Sequence, residues 1–211
     1  MFLDVFNDNP FASNCWAVSA DGSGDAVVVD PGFSPERVSA MVSGAGRRLA
    51  AVLATHGHAD HIASVPAVCG DGVPLYIHEA DEAALTDQAG WGAGYPVQAD
   101  YRPEEVRTVR HGDILEFAGF RIRVLHTPGH TPGSVCFVTD GFLFSGDLVF
   151  RGAIGRSDFP NSSDADMRAS LRRFLELPDE LSVYPGHGPQ TTVGYERSAN
   201  EWLVRLAGSP R

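Results

Sequence analysis

The segment Leu49–Ile62 reads L-A-A-V-L-A-T-H-G-H-A-D-H-I, an apolar run followed within six positions by three histidines and an aspartate. Leu49–Thr55 is short, apolar and bounded by polar residues, which predicts a buried strand ending where the polar cluster begins. His56 and His58 then fall on the loop beyond it. Asp60 and His61 come just before Ile62-Ala63-Ser64-Val65, a stretch able to open a short helix until Pro66 interrupts or caps it. Two imidazoles, a carboxylate and a third imidazole can therefore converge from one turn held on a rigid strand end. Mixed imidazole and carboxylate donors suit zinc, iron, nickel or copper and disfavour calcium and magnesium. A lone histidine in a polar loop is usually satisfied by local hydrogen bonds, but H-x-H-x-D-H points to a bound metal.

Upstream of this segment, Phe2–Asn7, Asn14–Ala20 and Ala26–Asp30 are strand-like, the last two joined by the turn signal Asp21-Gly22-Ser23-Gly24, so the chain opens as a β-meander. Asp30-Pro31-Gly32 stops the third strand. Ser34-Pro35-Glu36 starts a helix with Val38, Met41 and Val42 on its apolar face, returning the chain to the metal strand. Downstream, Pro74–Ile77 reads as a strand and Glu79–Asp87 as helical. Residues 88–103 form a long loop rich in glycine and aromatics, a composition that favours a binding loop or lid.

A second β-rich half follows, with strands expected at Asp113–Phe117, Phe120–His126, Ser134–Val138 and Phe142–Ser145. Ser163–Leu175 is expected to be a helix, Leu181–Tyr184 the last strand and Tyr195–Leu206 a terminal helix. Two β-rich halves, each followed by helices, predict an α+β protein: two sheets face to face with helices outside, in one domain spanning 1–211.

Of the 211 residues, 43% are apolar and 20% charged, the balance of a globular protein. The formal charge is −11, from 16 basic and 27 acidic side chains, which argues against nucleic acid as a partner. All the basic residues are arginine, so lysine Schiff-base chemistry and the lysine of a nucleotide-binding Gly-rich loop are excluded. Cys15, Cys69 and Cys136 lie in no zinc-finger or disulfide spacing. The N-terminus has no basic n-region, and no apolar stretch approaches the ~18 residues that span a bilayer. A reducing cytoplasm is the expected home, without membrane contact.

Three later residues repeat one arrangement, a potential ligand on the loop after a strand with Gly or Pro beside it. They are His130 in H-T-P-G-H-T-P-G-S, Asp147 in F-S-G-D and His187 in Y-P-G-H-G-P. Together with the first cluster they make five His and two Asp, too many for one tetrahedral ion and right for two ions sharing a carboxylate.

These motifs, T-H-G-H-A-D-H, T-P-G-H-T-P-G-S, S-G-D and P-G-H-G-P, resemble the signature of the metallo-β-lactamase superfamily. F-R-G-A-I-G-R after Asp147 and G-H-G-P-Q-T-T-V-G-Y-E-R-x-x-N around His187 are similar to the small, single-domain glyoxalase II-like hydrolases. The resemblance implies a four-layer αββα sandwich of two mixed sheets. It also implies that His56, His58 and His130 hold one metal, that Asp60, His61 and His187 hold the other, and that Asp147 bridges them. His78, His111 and His126 match no ligand position and are read as structural or surface residues.

Zinc is the expected metal, with iron or manganese as alternatives. Two zinc ions, two aspartates and a shared hydroxide sum to about +1, an electrophilic island in an acidic chain. The expected reaction is hydrolysis of an S-acyl thiol conjugate, a small molecule, of the hydroxyacylglutathione type. Asp60 is the expected catalytic residue, orienting the hydroxide as the resemblance implies. Arg156 is the expected substrate-binding residue, since it falls where glutathione-using members carry a basic thiol-binding group; the alternative is an ion pair with Asp158. The aromatics those members place two positions beyond Arg156 and His187 are Asp158 and Pro189 here. Their C-terminal helical domain is missing from the expected layout, which leaves the thiol open. Alternative readings are a persulfide dioxygenase with one iron on His56, His130 and Asp147, a lactonase or β-lactam hydrolase, and a non-catalytic metal scaffold. The last is disfavoured because structural zinc is closed and commonly cysteine-ligated. The sequence leaves the oligomeric state undetermined.

Overall fold

The chain around the metal segment builds a six-stranded sheet in spatial order β1-β2-β3-β4-β5-β6. Its strands are β1 (Phe2–Phe6), β2 (Cys15–Ser19), β3 (Asp25–Val29), β4 (Arg48–Leu53), β5 (Leu75–His78) and β6 (Val106–Val109). The opening meander is antiparallel; from β3 onward the strands run parallel, with α1 (Pro35–Gly44) making the first crossover. Strands β2 and β3 alternate between two covered faces, which is why they read as near-continuous apolar runs. The computed structural model describes residues 1–20, 24–70, 72–87, 91, 103–117 and 119–208. Most of the 88–103 loop singled out by its composition, and the turn at 21–23, lie outside the described residues.

The second six-stranded sheet has the order β14-β13-β10-β9-β8-β7. It comprises β7 (Ile114–Phe117), β8 (Phe120–His126), β9 (Val135–Thr139), β10 (Phe142–Gly146), β13 (Ser182–Pro185) and β14 (Thr191–Thr192), while β11 (Val149–Phe150) and β12 (Ala153–Ile154) form a small separate hairpin. Because β9 is antiparallel to both β8 and β10, and β10 is parallel to β13, the strands β8, β10 and β13 all point the same way. Their C-terminal ends therefore reach one edge, and each is followed by one of the three later candidate ligands.

Side chains from the two sheets interlock between them: Trp16, Val18, Val27, Val29 and Leu53 pack against Ile122, Val124, Phe137 and Phe144. The outer face of the first sheet buries α1 through Val38 and Val42, and buries Ile62 of α2 (Ala59–Ile62) and Val65 of α3 (Val65–Val68). The outer face of the second is covered by α4 (Asp164–Phe174), α5 (Val193–Ala199) and α6 (Glu201–Ala207), through Met167, Leu171, Phe174, Val193, Leu203 and Leu206. The layers are thus αββα with two mixed sheets, as expected.

Differences from the sequence reading lie at element boundaries. The short helix begins at Ala59, so Asp60 and His61 stand inside its single turn and not on the loop before it. The terminal helix is two helices broken at Asn200, whose backbone is extended (ψ 111°) because its side chain caps Trp202 N–H and donates to the Ala153 carbonyl. The residues 79–85 are a 3-10 helix. Strand β6, the β11–β12 hairpin and β14 were not expected: β11, β12 and β14 are two residues each, too short to show a period, and β6 reads V-R-T-V with two polar residues at its centre. Among the described residues no helix is long and apolar enough to cross a membrane.

Candidate metal centre

All seven expected ligands meet at the shared edge of the two sheets. On one side, His56 Nε2 lies 3.1 Å from His58 Nδ1, which lies 2.9 Å from His130 Nε2. On the other, Asp60 Oδ2 lies 3.4 Å from His61 Nε2 and 3.2 Å from His187 Nε2. Asp147 stands between: Oδ2 is 3.3 Å from His130 Nε2 and 3.6 Å from His187 Nε2, and Oδ1 is 3.5 Å from His61 Nε2. The potential ligand atoms fall into three overlapping groups, His56/His58/His130, His56/His61/Asp147 and Asp60/His61/His187, each within 4.8 Å.

The rings are aimed by hydrogen bonds on their far sides. Asp30 accepts the Thr55 N–H at 2.7 Å, the Thr55 hydroxyl at 2.7 Å and His61 Nδ1–H at 2.9 Å. With its proton on Asp30, the Thr55 Oγ1 accepts His56 Nδ1–H at 3.0 Å. His130 Nδ1–H donates to the Arg156 carbonyl at 2.8 Å, and His187 Nδ1–H to the Phe11 carbonyl at 3.2 Å. Four imidazoles thus hold their protons on Nδ1, leaving Nε2 lone pairs turned inward, the outer-shell arrangement that orients metal-binding histidines.

The donor set fits a metal. Around a tetrahedral zinc at ~2.0–2.1 Å, ring nitrogens lie about 3.3 Å apart, close to the spacings on the His56/His58/His130 side. Lone pairs at such distances repel unless a cation lies among them. His61 Nε2 and Asp147 Oδ1 are buried with no hydrogen-bond partner, an arrangement costly for a polar atom that meets nothing. A Cβ on Gly186 would overlap Asp147 Oδ1 and come within 2.8 Å of His61 Cε1, so only glycine lets the backbone approach this closely.

Titration follows the same division. Burial and the neighbouring His61 and His130 hold the His56 imidazole well below its ordinary value, and burial with His130 and His61 brings His58 down to about 3. Both stay neutral, as ligation requires. Burial also opposes charge at His61, but Asp60, Asp30 and Asp147 together push it well above the usual range. His187 is likewise raised against its burial by its bond to Asp60 and the charge of Asp147. Burial pulls the Asp60 carboxyl up, yet the His61 charge at 3.4 Å and the His187 imidazole at 3.2 Å hold it below the carboxylate range. The three carboxylates make this half a place where a positive charge is favoured, whether proton or metal.

A second buried carboxylate backs the centre. Asp81 accepts the Gly57 N–H at 2.8 Å, the Thr131 hydroxyl at 2.6 Å and the Gly133 N–H at 2.5 Å, so it ties the loop of His56 and His58 to that of His130. Of the remaining candidates, Arg156 forks onto Asp158 at 2.8 and 3.0 Å. His78 and His126 stack at 4.0 Å, His111 Nδ1 accepts the His126 N–H, and none of the three belongs to a ligand group. Asp30, Thr55 and Asp81 are not among the sequence candidates, nor are Phe11, Phe150 and Phe159, which line the cleft above the candidate ligands. A carboxylate directly ending the strand before the metal strand was the one available signal for Asp30.

Comparison with known proteins agrees with this architecture. The family model described as the metallo-beta-lactamase superfamily matches residues 8–187. The chain is 33% identical to hydroxyacylglutathione hydrolase GloC of Haemophilus influenzae, over 96% of this chain and 98% of that one. Among solved structures it is similar to the BLEG-1 B3 metallo-beta-lactamase, with a TM-score of 0.87 and 32% identity over 96% of this chain and 100% of that one. It is also similar to TTHA1623, solved in a di-iron-bound form, with a TM-score of 0.79 and 37% identity over 96% and 100% of the two chains. With the αββα layers and the converging histidines already in place, the match over most of its length shows that the chain belongs to the metallo-beta-lactamase superfamily.

Proposed function

We propose that the protein is a dinuclear metal-dependent hydrolase acting on thioesters of small molecules, releasing an acid and a thiol. The observation that carries this reading is the place of Asp147, whose carboxylate lies between two complete ligand groups at the floor of an open cleft. His56 Nε2, His58 Nδ1 and His130 Nε2 would hold one cation, Asp60, His61 and His187 the other, and Asp147 both. Zinc is the proposed metal, though the di-iron form of TTHA1623 keeps iron in view. When bound, two divalent cations provide hydroxide from water near neutral pH and polarise the scissile carbonyl.

The chain's own groups do the rest. Asp60 would orient the attacking oxygen as well as hold the metal. Asp30, through His61 and through Thr55 to His56, keeps the ring protons away from the metal face. A thiolate leaves without a strong general acid, since thiols ionise near pH ~8.5. That suits a cleft whose described lining, apart from the ligands, offers aromatic and aliphatic groups and one guanidinium. The similarity to hydroxyacylglutathione hydrolase GloC supports the thioester class. The three cysteines are buried and unpaired, which supports a reducing compartment such as the cytoplasm.

Metal analysis of the purified protein, followed by a panel of thioesters, lactones, β-lactams and phosphodiesters, tests the reading. Two zinc ions per chain and preferential thioester hydrolysis are expected, with Asp147→Ala losing at least one ion and nearly all turnover. Wild-type turnover in that variant would overturn the two-ion account, and a single iron with oxygen uptake would replace it with the dioxygenase reading.

A further inference from the structure

The floor of the cleft is polar, but its walls are not. Besides the metal-site residues, the space of about 400 Å³ is lined by Phe11, Trp91, Phe150, Ile154, Arg156 and Phe159. The Phe159 ring stands roughly perpendicular to His58 at 5.1 Å and to His130 at 5.6 Å, and the Phe150 ring to His187 at 5.7 Å. One aromatic ring therefore borders each half of the ligand cluster. Phe11 stacks on Phe33 at 5.5 Å and offers its carbonyl to His187, extending the second wall.

Arg156, the single basic side chain among these lining residues, is committed elsewhere. Its guanidinium forks onto Asp158 and lies 4.4 Å over the Phe159 ring. The pair carries no net charge, and the guanidinium covers one face of the Phe159 ring instead of standing free in the cleft. An anionic thiol carrier such as glutathione would meet the Asp158 carboxylate beside its only described cation. An uncharged aromatic group would meet aromatic side chains on both sides, in a space of the size that seats such ligands.

Resting on the thioester reading above, we propose that the substrates are thioesters with an aromatic, uncharged acyl group seated between Phe150 and Phe159, and that the thiol carrier is not selected for negative charge. The chemistry balances as hydrolysis: the acyl C–S bond breaks, a C–O bond to water oxygen forms, and the water's protons end on the thiol and the acid. Phe150 and Phe159 are then specificity-determining residues, acting on the acyl group and not on bond cleavage itself.

A two-by-two set of thioesters tests this with the zinc-loaded protein: acetyl and phenylacetyl groups, each on N-acetylcysteamine and on glutathione. The expected kcat/KM is at least tenfold higher for phenylacetyl than for acetyl on both carriers, with the two carriers within about threefold of each other. Phe159→Ala and Phe150→Ala should shrink the phenylacetyl-to-acetyl ratio towards one on both carriers, with thermal unfolding and zinc content reporting that both variants fold and load metal. Titration calorimetry with the unreactive thioethers S-phenethyl- and S-ethyl-N-acetylcysteamine reads the same preference without turnover. Hydrolysis of all four thioesters without acyl preference would overturn the inference and leave the hydrolase reading standing. No hydrolysis, but tighter binding of the phenethyl thioether, would overturn the thioester reading and uphold the aromatic subsite. A glutathione preference that Arg156→Gln abolishes would overturn the inference in favour of an anionic carrier.

Discussion

Asp30 adopts a left-handed backbone conformation (φ 53°), which costs a non-glycine residue roughly 1–3 kcal/mol unless its surroundings impose it. Here they do, because three donors converge on its carboxylate and only an acceptor-only group satisfies them all. Asp30→Asn keeps the shape but places an NH2 against two of those donors. The least costly response is to reverse the relay. The amide donates to His61 Nδ1 and to Thr55 Oγ1, the Thr55 hydroxyl turns to His56 Nδ1, and both rings move their protons to Nε2, the face meant for metal. Metal affinity should therefore fall 10- to 100-fold, the usual effect of an outer-shell change, while the fold persists. Competition with a chromophoric chelator measures it, and unchanged affinity for both ions would refute the relay. The seven candidate ligands were legible because their residue types are the chemistry. Asp30 was not, because its importance lies in a backbone angle and two distant partners that a strand-ending D-P-G does not display.

The elements that carry the site are short, and tertiary contacts hold them. A four-residue helix such as α2 is not stable alone. It is fixed by Ser13 Oγ donating to the Asp60 carbonyl at 2.7 Å and by Gly32 N–H donating to the His61 carbonyl at 3.0 Å. This explains why its start was misplaced by three residues: the apolar pattern begins at Ile62, whereas the contacts that start the helix come from the first meander. The break at Asn200 has the same origin. Its side chain caps α6, donates to Ala153 on the β11–β12 hairpin and donates to Glu196, which also accepts the Gly152 N–H at 2.9 Å. A helical period runs through Asn200 unbroken, so only these bonds interrupt it. Asn200→Ala removes a cap worth about 1 kcal/mol and leaves buried partners unsatisfied, so a loss of roughly 2–4 kcal/mol is expected in urea unfolding. Because the hairpin carries Phe150 and Ile154, the loss should come with a higher KM. A variant as stable as the wild type would show that the hairpin is held by apolar packing alone.

At the scale of the whole molecule the two sheets each bring part of the centre: β4 leads to His56, His58, Asp60 and His61, while β8, β10 and β13 lead to His130, Asp147 and His187. This division was legible from the two β-rich halves, but what aligns them without metal was not. Asp81 is such a device, since its carboxylate joins Gly57 behind the first sheet to Thr131 and Gly133 behind the second. It is fully buried, and burial brings its carboxyl up to about 6 even against the three donors that favour the charge. A carboxyl whose folded value lies above its unfolded value contributes stability below the unfolded value near ~3.9 and loses it as pH rises through about 6. In metal-free protein, the stability difference between wild type and Asp81→Asn should therefore fall by about 2 kcal/mol from pH 4 to pH 6.5, read from urea titrations of both at each pH. A flat difference would mean that the three donors keep the group ionised throughout. A fall in the expected direction means that near neutral pH the fold carries, at a cost to stability, a buried charge on the group that joins the two histidine loops.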